Sequence, residues 1–514
     1  VEMESLKAME GYYMRKKQIL PCALAILLAA LQPGMTAFAD ETTIENTTPV
    51  ENGAESAASA EGEQAGTTPE EEKTPEQIAE EERAKLEAEK QASLESQADT
   101  NLLPGWPQGP AVYAHSAVVM DMKSGAILYA KKPDEQHYPA SITKLLTTLV
   151  ALENAELTEK VTFSQDSVDI LNWDDAHIGM KPGEEISMED ALYAVLLASA
   201  NEVSYAVAES TGINRMNGDY STFIARMNER AKELGCTGSN WVNPNGLHDE
   251  QHYTTAHDMA LIASEVYQKE QFRKIMDTLE YRIGVTNLTQ EERVFQQNHK
   301  MLWSENAYYY EYCTGGKTGY TDQAMTTLVT MADNGEMELA AVILYDYGVD
   351  AYTDTRAMMD YVFQNFSKVP ITKLEQPEEV AKYTSEDAYI VLPNGADTSQ
   401  VKCEITEVKG EKGTAVFTIQ GQNVGSTEVL LSDVYFQKEK DVQVSDSDNK
   451  NITAVTGEQA KEKRPVKKMV LIGASAAAVL AAAVGGRIVY VRYQRNKRRK
   501  QRRRRVGRNC NEDH

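Results

Sequence analysis

The stretch Pro139-Ala140-Ser141-Ile142-Thr143-Lys144 decides how this chain is read. Pro139 stops any helix arriving before it, and Ile142, Leu145, Leu146 and Leu149 repeat at helical spacing after it. The pattern predicts a helix from about Ser141. Three residues apart on such a helix, the Ser141 hydroxyl and the Lys144 amine share one face and can exchange a proton. The first helical turn also carries partial positive charge, which favours a developing oxyanion. One reading is a nucleophile with its own base; the other is an amphipathic helix with two polar residues on its edge. Ser-x-x-Lys alone does not separate them.

Outward from this helix, Ser116 to Asp121 and Ala126 to Lys131 are strand-like runs joined by Lys123-Ser124-Gly125, a hairpin signal. Downstream, Lys181-Pro182-Gly183 marks a turn. A helix is predicted from Ser187, running into Ser199-Ala200-Asn201, and a further one through Val207. Helices are predicted over Phe223 to Leu234, Asp258 to Tyr267 and Ala357 to Phe366, with a strong turn at Asn243-Pro244-Asn245-Gly246. Thr327 to Met331 and Leu339 to Tyr345 read as paired strands after Gly315-Gly316-Lys317-Thr318-Gly319. Strands at both ends with helices between them imply one antiparallel sheet flanked by helices, an α/β (α+β) domain over 106–369. From Pro370 the period changes to two, with strands at Ala388 to Leu392, Val401 to Val408, Thr414 to Gln420 and Ser426 to Tyr435. This is a small β-rich domain over 370–445.

The net charge of -26 hides an asymmetry, because twelve basic residues lie between Arg487 and Arg508. The uncharged apolar run from Met469, extended to Val491 by snorkelling of Arg487, predicts one transmembrane helix over 469–491. A basic cytoplasmic tail over 492–514 follows it. A signal peptide is expected over 14–39, from Arg15-Lys16-Lys17, the apolar run Ile19 to Leu31 and the small-x-small site Ala37-Phe38-Ala39. Together they predict a single-pass protein with the residues between signal and span outside the membrane. Residues 40–105, rich in Glu, Ala, Thr and Pro, read as a disordered acidic linker in which Glu81 to Gln97 is transiently helical, and 446–468 as a juxtamembrane linker. The basic tail is most simply a topology signal beside anionic lipid, so no nucleic-acid partner is expected. Cys236, Cys313 and Cys403 are too scattered for a disulfide framework or a metal knuckle.

Three motifs occur in order: Ser141-Ile142-Thr143-Lys144, Ser199-Ala200-Asn201 and Lys317-Thr318-Gly319. With Tyr138-Pro139-Ala140, Lys181-Pro182-Gly183, Asn245-Gly246-Leu247, Thr254-Thr255-Ala256-His257-Asp258 and Thr318-Gly319-Tyr320-Thr321, the chain resembles the serine D-alanyl-D-alanine carboxypeptidases. These are the low-molecular-mass penicillin-binding proteins of the penicillin-binding and serine β-lactamase superfamily. The resemblance implies that Ser141 attacks the bond between two terminal D-alanines, with Lys144 as base. Lys317 nearby would lower the Lys144 pKa. By the same resemblance Ser199 relays a proton to the leaving amine, Asn201 holds the substrate amide, and Lys317 and Thr318 face the terminal carboxylate. Gly319 lets the strand approach the substrate, and the amides of Ser141 and Tyr320 form the oxyanion hole. The implied partners are the peptidoglycan pentapeptide and β-lactams as covalent inhibitors, and no cofactor is implied. One departure stands out: relatives usually read Ala-Gly shortly after Lys-Thr-Gly, whereas Met325 follows Ala324 here.

The rival readings are a serine β-lactamase, which needs a Glu-x-x-Leu-Asn segment not found between the second and third motifs, and a membrane-tethered wall-binding scaffold with little turnover. A zinc site from His248, His252 and His257, with Asp249 and Asp258, is disfavoured because the turn signals at Asn245-Gly246 argue against one helix presenting both His248 and His252, and no metal is expected. Cys313 reads as a buried small hydrophobe, and Tyr308, Tyr309, Tyr310 and Tyr312 as packing residues.

Overall fold

The computed structural model describes residues 74–438. The expected signal peptide, the first part of the acidic linker, the juxtamembrane linker, the membrane span and the basic tail lie outside the described residues. Among the described residues no helix is long and apolar enough to cross a membrane.

The hairpin forms where its turn chemistry places it. Strand β1 (Ser116–Asp121) pairs antiparallel with β2 (Ile127–Lys131). Gly125 takes φ +70, and the Ser124 hydroxyl caps Asp121 at 2.7 Å. Three strands from the far end of the domain, β3 (Cys313–Thr321), β4 (Met325–Asp333) and β5 (Glu338–Asp346), complete the sheet in the order β2-β1-β5-β4-β3. All neighbours are antiparallel. The sheet is thus assembled from both ends of the domain, as the strand positions in the sequence imply. Every residue of β1 is buried, because both faces of this strand are covered.

Period two sorts the sheet's side chains into two cores. Val118, Met120, Val329, Met331, Ala340 and Val342 face one cluster, built on helices α2 (Lys144–Asn154), α3 (Met188–Leu196), α4 (Asn201–Arg215), α5 (Tyr220–Glu233) and α6 (Ala256–Tyr267). Val119, Leu128, Leu328, Leu339, Ala341 and Ile343 face the other, with α7 (Asp350–Asn365). Ser187, Asp219 and Thr255 cap α3, α5 and α6 by accepting a backbone N–H three residues on.

Several boundaries differ from the sequence reading. The predicted helix at Ser141 opens as a 3-10 turn over Ala140–Thr143, and the α-helix begins at Lys144. This tightens the pairing, since residues three apart eclipse in a 3-10 turn. The last helix of the domain starts at Asp350 rather than Ala357. In the β-rich region the strand expected over Ser426 to Tyr435 runs Gln422–Leu431, and Val380–Tyr383 adds an unpredicted edge strand. Phe366–Pro370 pairs with Tyr389–Pro393, so this region begins before 370. Its core is continuous with that under β1: Ile390, Phe417 and Val424 share a cluster with Val119 and Leu128.

The larger correction concerns the linker. Pro75–Glu95, read as disordered with only a transient helix from Glu81, is a 21-residue helix, α1. Thr74 and Gln77 form a capping box, Pro75 occupies the first turn, and Glu, Ala, Lys and Gln are strong helix formers. Its last turns dock. The Ser93 hydroxyl donates to Ala114 O at 2.9 Å, Lys90 pairs with Asp350 at 2.5 Å, and beyond the helix Ala98, Thr100 and Trp106 are buried. A few small buried contacts do this, which composition does not register.

Candidate active site

The site lies where the turn before α2, the start of α4 and the edge strand β3 converge. Lys144 is fully buried, and its Nζ stands 3.0 Å from Ser141 Oγ, 2.7 Å from Asn201 Oδ1 and 2.6 Å from the Asn245 carbonyl. Ser141 itself is half-buried and open to a substrate. Burial depresses the Lys144 pKa well below the ordinary lysine value, and the neighbouring Lys317 cation lowers it further, against Glu202 and Asp175. The resemblance names Lys317 as the cause; burial is the larger one.

The second motif straddles the start of α4. Asn201 is the first helical residue, fixed by donation from its N–H to Ala176 O at 2.9 Å. Ser199 sits just before the helix at φ +60, a left-handed conformation that costs a non-glycine residue about 1–2 kcal/mol. Its hydroxyl accepts from Lys317 Nζ at 3.0 Å. Lys317 is 1% exposed, also donates to Thr318 O at 2.9 Å, and is lowered by burial to about 7.

In β3, Thr318 is half-buried and Tyr320 is exposed, so the strand end presents both at the edge of the sheet. Gly319 between them is required by contact. A Cβ there would lie 2.4 Å from Thr327 Oγ1 and 2.9 Å from Ser141 N. The close approach that demands glycine here is to β4 and to the nucleophile's own turn. Met325 opens β4 opposite Thr321 at φ +53. The position where relatives usually carry glycine is a left-handed one, and here a side chain occupies it.

All eight residues singled out from the sequence thus converge on one site or on the strand that borders it. The sequence reading missed the Asn245 carbonyl, since Asn243-Pro244-Asn245-Gly246 signals a turn without saying where its carbonyls point. It also missed Glu202, buried beside Asn201 and accepting from Ile178 N at 2.8 Å, with its carboxyl pushed up by burial. The three histidines of the weighed zinc site disperse. His248 packs edge-on to Tyr138, His257 pairs with Asp134 at 3.2 Å, and His252 is buried in protein hydrogen bonds. Burial raises the Cys313 thiol to about 12, which removes it as a nucleophile. Tyr308 stacks on Tyr352, and Tyr310 is buried with its hydroxyl on Asp360.

Comparison with known proteins adds the family. Residues 105–347 match the peptidase S11 family model, described as D-alanyl-D-alanine carboxypeptidase. The D-alanyl-D-alanine carboxypeptidase DacF of Bacillus subtilis is 30% identical over 344 residues, covering 62% of this chain and 82% of that protein. The enzyme DacA of Haemophilus influenzae is 28% identical over 360 residues, 63% of this chain and 86% of that protein. Among solved structures, the Streptomyces K15 DD-transpeptidase matches with 25% identity and a TM-score of 0.46, over 50% of this chain and all of that one. On the extent of the match to the Bacillus protein and to the family model, this chain belongs to the peptidase S11 family of D-alanyl-D-alanine carboxypeptidases.

Proposed function

We propose that this protein is a serine D-alanyl-D-alanine carboxypeptidase that removes the terminal D-alanine from peptidoglycan pentapeptide stems through an acyl-enzyme on Ser141. The observation that carries this reading is the set of partners around Lys144. A neutral amine has two N–H donors and one lone pair. Asn201 Oδ1 and Asn245 O take the two donors, which leaves the lone pair for the Ser141 hydroxyl proton. With the pKa depressed by burial, Lys144 is a base aimed at one proton.

In this mechanism Ser141 Oγ attacks the penultimate D-alanine carbonyl as its proton passes to Lys144. The amides of Ser141 and Tyr320 receive the oxyanion, Asn201 holds the substrate amide, and Lys317 with Thr318 binds the terminal carboxylate. Ser199 gives its proton to the leaving amine and regains one from Lys317, 3.0 Å behind it. Water then attacks the ester; its proton returns through Ser199 to Lys317, and Lys144 restores the Ser141 hydroxyl. A β-lactam acylates the same oxygen. The signal at 14–39 and the span at 469–491 support action outside the cell membrane, tethered by the C-terminal helix with the basic tail inside.

Release of D-alanine from a muramyl pentapeptide by the full-length protein tests the proposal. Release by the wild type that is abolished in Ser141→Ala is the expected result. Wild-type protein that releases none, while still labelled by a fluorescent penicillin, overturns it in favour of the scaffold reading.

A further inference from the structure

The nucleophile is preceded by a strained residue, and a chain of buried groups holds it there. Ala140 has φ +49, in the left-handed region that L-residues avoid, and is almost fully buried. Its carbonyl accepts from Thr143 Oγ1 at 2.8 Å, and Thr143 Oγ1 in turn lies 2.8 Å from His252 Nε2. At the other ring nitrogen, Val242 N donates to His252 Nδ1 at 3.1 Å. Since a backbone amide can only donate, Nδ1 carries no proton and the neutral ring holds its proton on Nε2. The direction of every bond follows: Val242 N–H to Nδ1, Nε2–H to Thr143 Oγ1, and Thr143 O–H to the Ala140 carbonyl. His252 is 2% exposed, lies edge-on to Trp241 at 5.4 Å, and burial pushes its pKa down to about 3, so the ring stays neutral across the working range.

Two further contacts close on the same peptide units. Thr327 Oγ1 donates to Pro139 O at 2.8 Å. Gly246 faces the Ala140 carbonyl so closely that a Cβ there would fall 1.8 Å from its oxygen. The His252–Thr143 pair supplies the side-chain hydrogen bond on the Ala140 carbonyl, and because that carbonyl shares a peptide plane with Ser141 N–H, it bears on the direction of that amide as well.

We infer that His252 is a positioning residue for acylation, acting through Thr143 to lock the strained Ala140 peptide so that Ser141 Oγ faces Lys144 and Ser141 N–H faces the oxyanion. This rests on the Ser141 acylation reading. It assigns the histidine neither to a metal nor to proton transfer, and it explains why a fully buried imidazole sits beside the nucleophile's helix.

The test is the kinetics of acylation of the full-length protein by a fluorescent penicillin, resolved into reversible binding and the acylation step. His252→Ala is expected to slow the acylation step about 100-fold with binding little changed, the size expected for a misplaced reacting atom. His252→Gln, whose amide N–H can reach Thr143 Oγ1, should recover to within about 10-fold of wild type, and Thr143→Val should match His252→Ala. Thermal melting of each variant reports folding. Should His252→Ala not fold, His252→Gln and Thr143→Val decide. Acylation at the wild-type rate in a folded Thr143→Val overturns the positioning role, as does loss of reversible binding in equal measure. A wild-type protein that is not acylated at all overturns the underlying reading instead.

Discussion

Two buried lysines in this molecule are built from similar parts and put to opposite uses. Lys131, at the end of β2, is 1% exposed and donates to Ser93 O at 2.6 Å, Ser93 Oγ at 3.1 Å and Val112 O at 2.9 Å. Lys144 likewise has three oxygen partners. The strongest neighbouring charge differs in sign. Lys131 is lowered by burial to about 8, but Asp354 and Asp346 oppose the fall, so it keeps its charge at neutral pH and fastens α1 to the sheet. Lys144 instead faces a second cation, Lys317, and burial and repulsion act together against the weaker pull of Glu202 and Asp175. Burial lowers both lysines, and the strongest neighbouring charge, Asp354 at Lys131 and Lys317 at Lys144, then separates one that ties elements together from one that takes a proton.

Exchanging both lysines for methionine puts that contrast at risk. Lys144→Met should lower D-alanine release and penicillin acylation by about 1,000-fold or more while leaving thermal stability equal or higher, since a buried amine is lost. Lys131→Met should leave the acylation rate of folded protein unchanged and cost about 3 kcal/mol of stability, read from urea denaturation, because Asp354 loses the cation near it and the Ser93 and Val112 carbonyls lose their buried donor. If Lys131→Met slowed acylation at full stability, or Lys144→Met unfolded the protein, the contrast would fail.

The pH profile sharpens it. Lys317 must carry its proton to bind a carboxylate, and in the free enzyme it loses that proton near 7. A falling limb near this pH is therefore expected in kcat/KM. In kcat it should move upward, because bound carboxylate favours the ammonium. For stability the sign runs the other way. A lysine whose folded pKa lies below its unfolded value penalises the fold at low pH, so this group's contribution improves as pH rises from about 7 towards 10.5. Asp346 opposes it. Its carboxyl is pushed up by burial and by Asp354, so its contribution falls with rising pH, and Asp346→Asn should stabilise the protein at pH 8 and not at pH 4.

The smallest effect belongs to Met325. Its φ of +53 favours glycine, so Met325→Gly should gain up to about 1 kcal/mol, measured as a rise in Tm. A fall in Tm would show that the Met325 side chain contributes more packing than its backbone costs.

Much of this was legible in residue patterns, and the exceptions share a cause. The β1–β2 hairpin, the helix starting at Ser187 and the three motifs are local signals, each written in a few adjacent residues. Convergence of the motifs follows once the terminal strands pair. What escaped depends on where single polar atoms point after folding: the Asn245 carbonyl on Lys144, and the His252–Thr143 pair beneath Ala140. The docking of α1 escaped because one buried serine and one buried lysine hold it, with little apolar area to mark the sequence. Val380–Tyr383 is a four-residue edge strand whose partners are supplied from far down the chain.

The central claim, that Ser141 is the atom acylated and Lys144 the base beside it, is tested most directly by mapping the adduct left by a β-lactam on the intact protein. A single adduct per chain, found on the peptide that carries Ser141 and lost in Ser141→Ala, is the predicted result. An adduct on Ser199 or any other residue, or none on the folded wild type, contradicts the account.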